Sequence, residues 1–320
     1  MPIIKFLKHV VPPIVRHVAL PIGRESRQRR YSSAVSDAQA RLGQDQLQSH
    51  KLVFLGGLHR SGTSLLYRCL SEHPSISGFV NTGVYEDEGQ HLQSVYPGDP
   101  VIGGPGRFAF HSRSRLTETS PLVSSESPSR LFLEWSQHWD LSKPVLAEKS
   151  PPNLTKTRFL QALFPDAYFV IVVRHPVAVS YATQRKWFYF FPHERVGRIL
   201  YKLGMRQTIE SLLTHWVVAH DLFRQDSLQL RNLFVLKYEH FVEEPQRCLN
   251  EIFSFIGLSE HPTKQSIRTG INEMYYNMWT KALTGRRSAS LGRFARDHEA
   301  SINQFGYSLL DLERAEHLRF

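Results

Sequence analysis

Two stretches of this sequence carry residue types whose spacing can do chemistry. One is Gly57-Leu58-His59-Arg60-Ser61-Gly62-Thr63-Ser64, set between the apolar run KLVFLG and the segment LLYRCL. Glycines let a backbone wrap closely round an anion, and amides at a helix start point at its oxygens. The other is VIVVRHPVAVS, in which Arg174 ends an apolar run. A planar guanidinium at a strand end makes paired hydrogen bonds to phosphate. Together they predict binding of a phosphorylated ligand.

Gly57 and Gly62 have the spacing of the standard ATP loop, G-x-x-x-x-G-K-[ST]. Its lysine is missing, because Thr63 stands there; Ser64 stands where a magnesium-binding hydroxyl is expected. Arg60 places a cation inside the loop instead. Such a loop holds a phosphate but lacks the usual cation for a terminal phosphate, which argues against an ordinary kinase or ATPase. The closely spaced glycines and ribose-binding acid of a dehydrogenase are also missing.

The elements that must position these residues alternate. Residues 51–57, 144–147, 167–173 and 233–238 read as strands. Helical spacing follows the loop as far as Pro74, and recurs over 131–141, 159–164, from Val177, over 200–226 and over 245–258. This predicts an α/β, P-loop-like three-layer fold with a mostly parallel central sheet flanked by helices. Such sheets bind ligands at the carboxyl ends of their strands. Residues 57–64, 148–150 and 174–176 all fall there.

At 320 residues, 41% hydrophobic, the chain can bury a large core. Residues 50–320 read as one domain with an irregular insertion around 77–140, and residues 1–49 as a basic N-terminal arm. The formal charge of +10 favours anionic partners. No nucleic-acid-binding motif accompanies it, so none is expected as a partner. No apolar run reaches the roughly 18 residues of a membrane span. The arm can instead touch a membrane surface through residues 1–20, with Phe6, Val10, Val11, Ile14 and Val18 as contacts. The expected location is cytoplasmic, with organelle targeting the other option for the arm. Cys69 and Cys248 sit in apolar helical patterns and read as buried free thiols.

The loop GGLHRSGTSLL resembles that of the sulfotransferases that use 3'-phosphoadenylyl sulfate, above all their tyrosylprotein and carbohydrate branches. Arg60, Ser61, Gly62, Thr63 and Ser64 match the family's [KR]-[ST]-G-T-[TS], which holds the donor's 5'-phosphosulfate. Gly57 and His59 join them in the expected cradle. VIVVRHP resembles the second family element, whose arginine, here Arg174, binds the 3'-phosphate. The family's serine eight residues later is replaced by Ala182, flanked by Ser180 and Thr183 as substitute hydroxyls. VLAEKSPPN resembles a segment whose lysine, here Lys149, approaches the donor. VLKYEHF resembles a segment that brings Tyr238 and Glu239 near the nucleotide, and INEMYYNMW a late segment with Tyr275 and Trp279.

The resemblance implies transfer of a sulfuryl group to a hydroxyl, with 3'-phosphoadenylyl sulfate as co-substrate and no metal. Arg60 and Lys149 are the expected charge stabilisers. The expected base lies in Glu86-Asp87-Glu88-Gly89-Gln90-His91, because family members place a glutamate or a histidine there. Glu88 ranks ahead of His91, and a helical turn would put both on one face. His59, His111 and Glu118 rank lower. The insertion, with Arg107, Phe108, Phe110, His111 and Arg113, and the aromatic patch Trp187–Phe191 are expected round the acceptor. A small hydroxylated metabolite is favoured over a glycan or protein. The rival readings are an ATP-dependent small-molecule kinase and a non-catalytic nucleotide-binding scaffold.

Overall fold

The computed structural model describes residues 47–186, 207–285 and 288–313. The N-terminal arm up to residue 46, and the aromatic patch at 187–191, lie outside the described residues.

The four expected apolar runs form β1 (Lys51–Gly57), β3 (Val145–Lys149), β4 (Tyr168–Val173) and β5 (Leu233–Lys237), and a two-residue edge strand that the sequence did not signal, β2 (Ile76–Ser77), joins them. All neighbours pair in parallel, in the order β2-β3-β1-β4-β5. Both faces are covered, so side chains alternate between two apolar layers. Val53, Leu55, Val170 and Val172 face one layer. Leu52, Phe54 and Phe169 face the other. Burying each of these side chains contributes roughly 1.5–3 kcal/mol.

Helices form the outer layers. They are α1 (Thr63–Ser71), α2 (Ser127–Ser136), α3 (Thr157–Leu163), α4 (Pro176–Lys186), α5 (Ile209–Ser227), α6 (Tyr238–Glu243), α7 (Pro245–Ile256), α8 (Ile271–Thr284) and α9 (Ser288–Asn303). α1 and α7 cover the first face with Leu66, Leu70, Leu249 and Ile252. α2 and α3 cover part of the other with Leu131, Trp135 and Phe159. Beside them, α5 and α8 bury Trp216 and Trp279 under β4. Cys69 and Cys248 are buried free thiols, as expected.

Three boundaries differ from the sequence reading. The helix expected over 131–141 begins at Ser127, with a proline in its first turn, and ends at Ser136. Beyond it, the Trp139 indole donates to the Ala147 carbonyl (2.9 Å) and the Asp140 amide to Ser77 Oγ (2.7 Å). Those bonds draw the chain off the helical course. α5 starts at Ile209, because the Thr208 side chain accepts from the Ser211 amide and caps it; residues 200–206 lie outside the described residues. β3 runs two residues further than expected, to Lys149. The polar C-terminal segment, given no element by the sequence, forms α8 and α9.

The insertion has little regular structure beyond α2. Short 3-10 turns at Tyr85–Asp87, Gly89–His91, Asp99–Ile102 and Phe108–Phe110 carry it across the sheet's carboxyl edge. Asn81, Glu86 and Asp87 take positive φ. The cost of that strain is offset locally: the Asp87 carboxylate accepts from the Asn81 and Thr82 amides and the Thr82 hydroxyl.

Candidate active site

Parallel register brings the carboxyl ends of β1, β3 and β4 together. Gly57 lies opposite Val172, and Leu55 opposite Lys149. The loop from Gly57 to Gly62 then folds tightly. Gly57 has φ 153°, and a Cβ there would come within 2.6 Å of the Val172 carbonyl. Gly62 has φ 102°, and the Tyr238 ring occupies the space where its side chain would be. Arg60 also has positive φ, 70°. These are conformations that glycine adopts at little cost.

The loop delivers the chain into α1, whose N-cap is Gly62. No side chain caps it, and its first turn has no acidic residue. The helix therefore presents uncapped amides and an uncompensated positive dipole end. Ser61 Oγ is buried with no hydrogen-bond partner among the described residues. The loop has the form of an anion cradle.

Arg174 directly follows β4, beside this cradle, and is 6% exposed. Its Nη1 donates to the Arg60 carbonyl (2.8 Å). Nε and Nη2 both donate to Asn272 Oδ1 on α8 (3.0 and 2.6 Å). The guanidinium lies 4.1 Å from the centroid of the Tyr238 ring, a cation–π contact. Tyr238 thus packs on both the loop and the arginine.

Lys149 lies on the other side of the cradle, 1% exposed. Its ammonium donates to the Glu86 carbonyl (2.7 Å), Ser64 Oγ (3.4 Å) and Glu88 Oε1 (3.4 Å). Glu88 Oε2 accepts from Gln90 Nε2 (2.6 Å) and lies 3.7 Å from His91 Nε2. The stretch is not one helical turn: Glu88 is extended between two 3-10 turns. Glu88 and His91 nonetheless meet. Arg60 reaches Tyr85 Oη at 3.5 Å, on the same side.

Beneath this group is Glu148, fully buried. Ser150 Oγ and Asn153 Nδ2 donate to its carboxylate, each at 2.5 Å. Burial pushes the carboxyl up to about 7, against the pull of those two hydrogen bonds and of Lys149; the Glu88 charge adds to the rise. The Ser150 hydroxyl also accepts from the Gln90 amide (2.9 Å), so it ties β3 to the Glu88 turn.

His59 Nε2 lies 3.1 Å from Asp99 Oδ2. Burial opposes the Asp99 charge, but the His59 hydrogen bond and neighbouring positive charge hold its carboxyl below the usual range. Ser180 and Thr183 line a small pocket with His59, Leu58, Gly106 and His215. Ser180 Oγ is buried there with no partner among the described residues. Neither hydroxyl is hydrogen-bonded to Arg174.

A family model described as the sulfotransferase family matches residues 53–262. This chain belongs to the sulfotransferase family. Among curated relatives it is 23% identical over 214 residues to protein-tyrosine sulfotransferase 2 of Gallus gallus, covering 65% of this chain and 51% of that one. It is also 23% identical over 235 residues to nodulation protein NoeE of Sinorhizobium fredii (strain NBRC 101917 / NGR234), covering 64% and 50%. The chain thus spans about half the length of these relatives. Sulfotransferase STF1 of Mycobacterium tuberculosis H37Rv is similar over 82% of this chain and 83% of its own, at 12% identity and a TM-score of 0.48.

For a sulfotransferase-family chain, the two sequence motifs and the Lys149 segment converge on one edge of the sheet. Other expected residues have partners of their own. Phe108 is fully buried and packs edge-on against His59 and His215. Glu118 pairs with Arg158. His111 accepts from the Arg113 amide. Among the described residues no group of three His, Cys, Asp or Glu is placed to hold a metal ion, and no helix is long and apolar enough to cross a membrane. The sequence reading gave Asn272 and Glu148 no role. Asn272 lies within the segment INEMYYNMW, but only the fold reveals its partner 98 residues away.

Proposed function

We propose that this chain transfers a sulfuryl group from 3'-phosphoadenylyl sulfate to a hydroxyl acceptor. The observation that carries the reading is the pairing of an anion cradle with Arg174, whose guanidinium is fastened to the cradle through the Arg60 carbonyl. Two phosphate-binding groups held at a fixed spacing suit a nucleotide with phosphates at both the 5' and the 3' position. The buried, unpartnered Ser61 hydroxyl and the tight loop that Gly57 and Gly62 permit fit that occupant.

In this reading the uncapped amides of residues 62–64, with the Ser61 hydroxyl, His59 and Arg60 beside them, hold the 5'-phosphosulfate. Arg174 holds the 3'-phosphate, and Tyr238 supports it from below. Ser180 and Thr183 stay proposed as auxiliary hydroxyls, reached from the His59 side of α4. When bound, the donor supplies the sulfuryl group: an acceptor O–S bond forms, the S–O bond to the 5'-phosphate breaks, and adenosine 3',5'-bisphosphate leaves.

Lys149 concentrates positive charge where the sulfuryl oxygens would gather, and its burial makes that charge count for more. Glu88 takes the acceptor proton. Gln90 and Lys149 fix its two oxygens, and His91 stands beside it to orient it or share the proton. The proposed acceptor is a small hydroxylated metabolite. The tyrosine-directed relative makes a peptide phenol the class to test beside it.

Titration calorimetry tests the donor assignment. Adenosine 3',5'-bisphosphate should bind without metal and much more tightly than ADP. Magnesium-dependent ATP binding with no bisphosphate binding would overturn the reading and favour a kinase.

A further inference from the structure

Arg174 does not stand alone at the end of β4. Asn272 Oδ1 accepts from both Nε and Nη2. The Asn272 amide then donates to Glu239 Oε1 (2.7 Å) and to Tyr276 Oη (3.2 Å). Glu239 Oε1 also accepts from the His175 amide (3.1 Å), and its Oε2 accepts from Tyr307 Oη (2.6 Å). Tyr307 is fully buried and its phenol is raised well above the ordinary range, by burial first and then by the Glu239 charge, so it stays a donor. The line runs from the C-terminal segment through Glu239 and Asn272 to the arginine.

The geometry decides what the arginine can still do. A guanidinium has two N–H groups on each terminal nitrogen and one on Nε. Asn272 takes the Nε hydrogen and one from Nη2, and the Arg60 carbonyl takes one from Nη1. One N–H on each terminal nitrogen is left, a pair suited to two oxygens of one phosphate. An amide is the right group to hold the arginine. Its oxygen accepts from the cation without adding a negative charge that would compete with an anion, and its nitrogen donates to Glu239. The one carboxylate of the line is kept a residue further away.

We propose that the Glu239–Asn272 line positions Arg174, and that it sets the preference of the site for a nucleotide carrying a 3'-phosphate. The proposal rests on the donor-site reading above. Asn272 and Glu239 are positioning residues and touch no ligand.

The test compares adenosine 3',5'-bisphosphate with adenosine 5'-monophosphate by calorimetry, on the full chain. The ratio of the two affinities reports the 3'-phosphate alone. In Asn272→Ala the bisphosphate should bind roughly 10- to 100-fold more weakly, while the monophosphate changes less than about twofold. Glu239→Gln keeps an acceptor oxygen for the Asn272 amide, and should lower the ratio in the same direction by a smaller factor. A ratio unchanged in both variants overturns the proposal, as does an equal loss for both nucleotides. If the parent chain binds the two nucleotides equally, the donor-site reading itself fails. Thermal melts of each variant check that the fold is retained.

Discussion

The Lys149 ammonium lies 3.4 Å from Glu88 Oε1, and the two side chains are 1% and 4% exposed. Taking two charges out of water is costly, and here it is compensated by the Glu86 carbonyl, Ser64 and Gln90. Removing one partner leaves the other charge buried alone. Lys149→Met should therefore destabilise the fold by about 3 to 5 kcal/mol in urea unfolding. Lys149→Met combined with Glu88→Gln should be less destabilised than Lys149→Met alone. A double variant whose loss equals the sum of the single losses would mean that the pair is not coupled.

Glu148 gives a pH signature. Its folded value of about 7 exceeds the ordinary 4.5, because burial disfavours the charge. Between those values the unfolded chain gives up the proton and the folded chain keeps it. Stability from this group is full below about pH 4.5 and is lost as pH rises through 7. Glu148→Gln removes the loss, and should be more stable than the parent at pH 8 by up to about 3 kcal/mol. Urea titrations at pH 5 and pH 8 check this, and a gap between the two chains that does not widen with pH contradicts it.

Three buried histidines act in the opposite sense. Burial depresses His175 and His215 to about 3 and His220 to about 4. The unfolded chain binds these protons near 6.5, so stability is full above that pH and is lost as pH falls towards 4. Three protons correspond to a slope of about 4 kcal/mol per pH unit, and Glu148 returns about a third of it over the same interval. Taken together, these four groups should make the parent chain gain stability from pH 4.5 to about pH 6.5 and unfold steeply below pH 6. A flat profile between pH 6 and pH 4.5 would show that these rings are accessible to protons.

Gly62 has no room to change. A methyl group there meets the Tyr238 ring, at a backbone angle that L-residues avoid. Gly62→Ala should cost roughly 1–3 kcal/mol from the backbone alone. It should also push Tyr238 from beneath Arg174, abolishing bisphosphate binding. Near-parental affinity in a calorimetric titration would mean that the ring can move without consequence.

The sheet was legible because buried parallel strands read as continuous apolar runs, and KLVFLGG and AYFVIVV are such runs. The phosphate loop was legible for a different reason: its glycines are demanded by backbone geometry, and that demand appears in the sequence as fixed spacing. The Arg174 line was not legible as a unit, because its members are brought together from β4, α6 and α8 and the segment after α9 only by folding. The Glu88 stretch was half legible. Its residues meet as expected, but not through a helix: positive φ at Glu86 and Asp87 breaks the helical course, and the stabilising bonds come from Asp87 to Asn81 and Thr82. The buried character of Glu148 follows from Gly89 lying directly on it, a contact that no spacing rule anticipates.

The most direct test of the central claim is transfer of a radiolabelled sulfuryl group from 3'-phosphoadenylyl sulfate, without added metal, to pools of small hydroxylated metabolites, glycans and tyrosine peptides. The account predicts label in at least one pool with matching release of adenosine 3',5'-bisphosphate, reduced about 100-fold or more in Glu88→Gln and Lys149→Ala. Label in no pool, together with transfer of the terminal phosphate of ATP to an acceptor, would contradict it.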